Sequence, residues 1–356
     1  MRADNAAGDS ACLSCHEEKA TFGETAHHLT SRLPTRESIL GSFRPGENVL
    51  RTSNPGLYYR MDSAASGFYQ TAVLGTPPDT SVRSERIAYV TGVRKGQSFL
   101  YWSGDRLYQL PVSYWDGLGW ANSPGYPEGR PNLDRPIPPR CLECHATWFE
   151  SIPDPLAVNR YQQSSVILGI SCETCHGAGP EHVRRERSAL GKLLPPAIIN
   201  PTDLPRERQL DACALCHGGT MPPLQSAAFT FVPGQSLERQ FNLWASPDTL
   251  QVDVHGNQVA LLKQSACFRA SQMTCATCHD VHREERDAAA LSGRCLTCHA
   301  VQSLTPRHQE DLTGECVDCH MPVLPSNAVL SSDLGRQGRA WVRTHWIKVY
   351  PELPSP

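Results

Sequence analysis

The pattern Cys-x-x-Cys-His occurs seven times in this chain. Its copies are Cys12–Cys15–His16, Cys141–Cys144–His145, Cys172–Cys175–His176, Cys213–Cys216–His217, Cys275–Cys278–His279, Cys295–Cys298–His299 and Cys316–Cys319–His320. Fourteen of the 15 cysteines and half of the 14 histidines are used up by it. The chain's own Cys and His frequencies give roughly 0.02 such matches by chance. The spacing has a chemical reason. Two cysteines three apart on one helical turn can each form a thioether to a haem vinyl group, and the adjacent His then supplies the proximal nitrogen to iron.

Zinc and disulfides account for the pattern less well. Structural zinc joins Cys-x-x-Cys pairs two at a time, seven pairs leave a remainder, and zinc gives no reason for a His after every second Cys. Disulfides are poor geometry for cysteines this close and leave the His unexplained. The chain therefore reads as a cytochrome carrying seven covalent haems c. Haem is attached to such motifs outside the cytoplasm, so a periplasmic or extracellular protein is expected. The opening Met-Arg-Ala-Asp-Asn has no apolar core of an export signal, which reads as a processed form.

Seven histidines remain: His27, His28, His182, His255, His282, His308 and His345. Seven haems and seven spare histidines point to bis-His, six-coordinate irons. A distal ligand must reach the opposite face of the ring, so His282, three residues after His279, and His182, six after His176, are expected to ligate neighbouring haems. His27 and His28 fall in Glu17–Arg32, read as a helix, where adjacent residues point about 100° apart and cannot share one iron face. They serve two haems, or one ligates and the other lines a pocket. Met221 and Met321 follow haem motifs, but each Met-Pro reads as a turn rather than a ligand. Cys267, the leftover cysteine, reads as a buried thiol packed near a haem, with an intermolecular disulfide or a redox or ligand role as alternatives.

Proximal histidines stand 129, 31, 41, 62, 20 and 21 residues apart. About 20 residues per haem at the C-terminal end cannot build a protein core, so porphyrin faces must supply the apolar area. The 29 Pro and 26 Gly fit many short helices joined by turns. The long first gap differs. Leu57–Asp62, Phe68–Leu74, Arg86–Thr91, Ser98–Trp102 and Leu107–Val112 are rich in aromatic and β-branched residues, as strands are, and Gly104-Asp105 is suited to a tight hairpin. The expected fold is mainly α with extensive loops, short helices carrying the motifs, and a β-rich insert between the first two haems. The segments are 1–41 with the first haem, 42–121 as the insert, and 122–356 as a six-haem domain. The smaller gap Gly218–Gln272 contains His255 and a helix around Gln258–Ala266.

No apolar run approaches the ~18 residues that cross a bilayer. A formal charge of −3, with no basic stripe, gives no reason to expect nucleic acid. Fourteen propionates would carry the holoprotein towards roughly −17. Only five of the 33 basic residues are Lys; Arg forks suit carboxylates, so propionate clamps and an Arg-favouring genome explain the bias equally.

Cys172-Glu-Thr-Cys-His-Gly-Ala-Gly-Pro-Glu-His182, Cys275-Ala-Thr-Cys-His-Asp-Val-His282 and Cys316-Val-Asp-Cys-His-Met-Pro322 resemble a superfamily of multihaem cytochromes. It contains the tetrahaem cytochrome of ammonia oxidisers, pentahaem nitrite reductase and octahaem hydroxylamine oxidoreductase. The resemblance covers the haem-bearing part and not the β-rich insert. It implies that His182 and His282 are distal ligands to other haems, and that haems pack in alternating parallel and perpendicular pairs. Nitrite reductases of that group carry Lys in place of the motif His on the catalytic haem, whereas all seven motifs here end in His. No tyrosine is marked out as the crosslinking residue of hydroxylamine oxidation; Tyr350 and those of the insert are the candidates.

Three functions follow. The leading one is transfer of single electrons along a chain of bis-His haems between redox partner proteins. The second is reduction of a small nitrogen or sulfur oxyanion at one open haem, left by a non-ligating His27, His28 or His255. The third is a protomer of a haem filament or homo-oligomer joined through the β-rich insert.

Overall fold

The computed structural model describes residues 6–189, 191–219, 224–242, 252, 256–300, 316–333 and 336–351. It divides into two compact units. One is built on Ala26–Ser171 with Val329–Arg339, the other on Ala7–Thr25, Cys172–Ala328 and Ala340–Pro356 as far as these are described.

The first unit is a pair of antiparallel sheets. Strand β1 (Ser31–Arg32) belongs to the larger sheet. Strands β2 (Val49–Arg51), β3 (Leu57–Ala64), β4 (Gly67–Thr76) and β5 (Asp79–Arg86) form a four-stranded meander in that order. Strands β6 (Tyr89–Thr91), β7 (Gly96–Ser103), β8 (Arg106–Gln109), β9 (Val112–Trp115), β10 (Gly119–Asn122) and β11 (Arg135–Pro136) complete the seven-stranded sheet, whose main path runs β1-β6-β7-β8-β11. On β3 the alternation is plain: Leu57, Tyr59 and Met61 are buried while Tyr58, Arg60 and Asp62 are not, so one face meets the core. That core joins them to Ile87, Val90, Phe99, Tyr101, Leu110, Val112 and Trp120. Each such apolar side chain contributes roughly 1.5–3 kcal/mol through burial.

Strand β7 buries Phe99, Leu100 and Tyr101 in succession, so both of its faces are covered. On the second face Tyr89, Trp102, Phe149 and Tyr161 meet edge to face at 5.6–6.4 Å. Ser103 pairs with Arg106, leaving Gly104 (φ +60°) and Asp105 as a two-residue turn that needs positive φ at its first position. Further on, β12 (Ala146–Trp148) pairs with β13 (Ile167–Leu168). The His27 carbonyl accepts the Ile170 N–H at 3.1 Å, so this unit's long segment closes where it opens.

The second unit is made of short helices. They include Asp9–Leu13, Cys172–His176, Pro180–Glu186, Arg206–His217, Gln258–Lys263, Ala266–Arg269, Ala288–Gly293 and Cys316–His320. Its protein-only clusters are small: Ala214, Leu215, Leu237, Phe241 and Val259 in one, Leu210, Leu262 and Phe268 in another.

A mainly α fold is not what forms. Helix and strand each make up 26% of the chain, with several antiparallel sheets. The reason is that a haem motif needs one turn only. Cys172–His176 and Cys316–His320 are five-residue helices, and Cys275–Thr277 and Cys295–Thr297 are single 3-10 turns. Strands of eight to ten residues offset them. Val323–Asp333 and Arg336–Arg343 add an unforeseen two-stranded sheet. Glu17–Arg32 is likewise not one helix. A 3-10 helix spans Glu17–Glu24, Thr25 turns extended (ψ 156°), and His27 and His28 lie in the turns before β1.

Candidate haem sites

Each motif closes a turn through its own backbone. His16, His279 and His299 donate their N–H to the carbonyls of Cys12, Cys275 and Cys295 at 2.9–3.0 Å, which holds the first Cys and the His on one side of the turn. None of the fifteen cysteines forms a disulfide. Burial raises the Cys141, Cys175 and Cys278 thiols above their ordinary range and takes Cys295 up to about 11, unlike reactive thiolates.

Several imidazoles have Nδ1 held by a neighbouring oxygen. The Ile199 carbonyl accepts from His176 Nδ1 at 2.8 Å, and the Lys348 carbonyl from His320 Nδ1 at 3.0 Å. A carbonyl can only accept, so the proton sits on Nδ1 and Nε2 keeps its lone pair for a metal. Asp280 Oδ1 plays the same part for His282 Nδ1 at 3.3 Å, and Thr30 Oγ1 meets His145 Nδ1 at 2.9 Å. Burial lowers the pKa of His176 and His279 and takes His345 down to about 4, which keeps these rings neutral, as ligation requires. Nδ1 of His182 is buried with no hydrogen-bond partner among the described residues.

Two pairs of rings stand about 6 Å apart with their planes within 36° of parallel. His176 and His282 have centroids 6.1 Å apart with planes at 29°, and His279 and His345 are 6.2 Å apart at 36°. Two imidazoles on opposite sides of one metal, with bonds of about 2 Å and each ring centre about 1 Å behind its nitrogen, stand about 6 Å apart. The residues present thus fit a porphyrin iron.

The remaining expected positions distribute as follows. His27 and His28 share the first unit with the second motif: Thr30 touches His145, and Ser31 Oγ accepts the Gly169 N–H at 2.9 Å. His255, His308 and Met221 lie outside the described residues. Met321 follows its motif helix in a bend before the strand at Val323. Cys267 is half-buried in the Ala266–Arg269 helix and close enough to Cys278 and Cys295 to perturb both. Tyr350 donates to the Trp346 carbonyl at 2.8 Å.

Motif matching alone did not single out Glu173 or Asp9. Glu173, 2% exposed, accepts the N–H groups of Ala7, Gly8 and Gly179 at 3.0, 3.2 and 2.8 Å, while Asp9 Oδ1 accepts the Cys172 N–H at 3.0 Å. An acid in the first turn of a short helix was the available signal.

The family model for cytochrome c554 and c-prime matches residues 127–177. Similarity also extends to the C-type polyheme cytochrome OmcB of Geobacter sulfurreducens, in strains DL-1/KN400 and PCA. Each is 24% identical over 239 residues, 57% of this chain and 29% of the relative. The chain therefore spans less than a third of the length of the curated relatives it matches. No solved structure matches. With the motif repeats, these similarities support a multihaem c-type cytochrome that binds haem c covalently and takes part in electron transfer. No helix among the described residues is long and apolar enough to cross a membrane.

Proposed function

We propose that this multihaem cytochrome holds seven haems c, ligated by two histidines each, and carries single electrons between redox partners in the periplasm or at the cell exterior. The observation that carries the reading is the spacing of about 6 Å between the imidazole centres of His176 and His282 and of His279 and His345. Bound haem supplies one-electron oxidation and reduction, at a potential that the axial ligands set.

The fourteen motif cysteines would anchor the seven groups through thioethers. His16, His145, His176, His217, His279, His299 and His320 would bind on the proximal side. His282 would complete the site of His176, and His345 that of His279. His27, His28, His182, His255 and His308 supply the rest. The protein's own work is to hold neutral imidazoles in a fixed tautomer: the Ile199 and Lys348 carbonyls and the Asp280 carboxylate orient Nδ1–H, so that Nε2 stays aimed with little reorganisation. His on both sides favours low potentials, suited to anaerobic respiration.

The test is a pyridine haemochrome count together with spin-quantified EPR of the oxidised protein. Seven haems, all low-spin, are expected. A lower count overturns the number. A high-spin signal integrating to one haem in seven overturns saturated ligation and turns attention to nitrite, hydroxylamine and tetrathionate as substrates of an open iron.

A further inference from the structure

We propose that the haem sites of the second unit adjoin in an order different from their order in the chain: the first motif with the third, the third with the fifth, and the fifth with the fourth. This rests on the haem-bearing reading above and adds the wiring to it.

The first and third motifs cap each other. The Asp9 carboxylate, three residues before Cys12, accepts the N–H of Cys172, and the Glu173 carboxylate accepts the N–H groups of Ala7 and Gly8. Each helix start thus receives an acid from the other, which brings Cys12 and Cys172 near each other. Cysteines this close put the attached edges of the two groups they carry near each other.

The third and fifth motifs share a ligand segment. His282 faces His176, yet it lies three residues beyond His279, the proximal ligand of the fifth motif. The tie His279-Asp280-Val281-His282 is too short to separate the two sites by more than about 10 Å between Cα atoms. The chain after the first motif meets the same residue: Thr21 Oγ1 donates to the His282 carbonyl at 2.9 Å, and Phe22 packs edge-on to its ring at 6.4 Å.

The fourth and fifth motifs come together at Cys213 and Cys275, which lie near each other. Arg206 opens the helix that ends at His217 and clamps the approach to Cys275 by donating to the Phe268 and Met273 carbonyls at 2.8 and 3.0 Å. Beyond the fifth motif the order follows the chain, for Cys295 lies near both Cys278 and Cys316, and Arg294 donates to the Cys278 carbonyl. The fifth site therefore meets the third, the fourth and the sixth, and is a branch point rather than one link in a line.

Two measurements on the holoprotein test this. In the fully reduced, diamagnetic protein, NMR is expected to give nuclear Overhauser contacts between the β-protons of Cys12 and Cys172, and between those of Cys213 and Cys275. Their absence from a spectrum that resolves these protons overturns the order. The second is a ligand test. His282→Ala is expected to create one high-spin haem per molecule, and to create none when the third haem is first removed by Cys172→Ala with Cys175→Ala. High-spin signal in both backgrounds assigns His282 to another iron and overturns the link between third and fifth. A haemochrome count below seven in the unaltered protein speaks against the proposed haem number and leaves these contacts to be judged on their own.

Discussion

Glu173 offers a sharp test of how the second unit is held together. Its carboxylate is 2% exposed and divides its acceptors unevenly: Oε1 takes the Gly179 and Ala7 N–H groups, Oε2 takes that of Gly8. In Glu173→Ala the buried Gly179 donor is stranded at about 1–3 kcal/mol, while Ala7 and Gly8, only half-buried, rehydrate at roughly 0.5–1.5 kcal/mol each. The expected loss is about 4 kcal/mol. In Glu173→Gln the amide oxygen replaces Oε1 and only the Gly8 bond goes, so the loss is about 1 kcal/mol. Hydrogen exchange read by mass spectrometry reports this locally, where exchange follows the opening equilibrium. At 1.36 kcal/mol per tenfold, the Ala variant should exchange more than about a hundredfold faster, and the Gln variant about fivefold faster. The acceleration must appear both in a peptide covering 6–16 and in one covering 172–187. Acceleration confined to 172–187, or equal damage by Gln and Ala, would refute the reciprocal cap.

Other perturbations have equally definite outcomes. His345→Ala should convert one low-spin haem to high-spin, read by EPR; an unchanged spectrum removes His345 from the ligand set. Gly169→Ala places a methyl group at φ +66° against the His28 carbonyl. It should cost at least about 1–2 kcal/mol and lower the melting temperature of the first unit; unaltered melting contradicts it. Burial raises the phenols of Tyr89, Tyr101, Tyr126 and Tyr161, and takes Tyr59 up to about 12. Unfolded tyrosine ionises near pH 10, so their contribution is intact below about pH 10 and drains away as pH rises towards the folded values. Absorbance at 295 nm should show these phenols titrating late and together with loss of β-sheet circular dichroism; independent titration at about pH 10 in the folded protein contradicts this.

Covalent haem c was open to the sequence because its attachment demands a contiguous motif. The strands around Leu57–Asp62 and Phe68–Leu74 were open to it because period-2 burial and aromatic content are local signals. Helix content was overestimated for a local reason as well: a motif that needs a single turn carries no pressure to extend it. Thr25, extended and buried, cuts short the segment that holds His27 and His28. The pairing of His282 with His176, and of His345 with His279, joins residues 106 and 66 positions apart, and no periodicity encodes such a register. The Asp9 and Glu173 caps are hidden for the same reason.

The bond between the His27 carbonyl and the Ile170 N–H brings the two ends of a segment of more than 140 residues to one point. A segment whose entry and exit coincide can change length between them without moving either end. Insertions and deletions should therefore be tolerated best in its exposed turns, such as Gly104-Asp105, away from the second Cys-x-x-Cys-His motif.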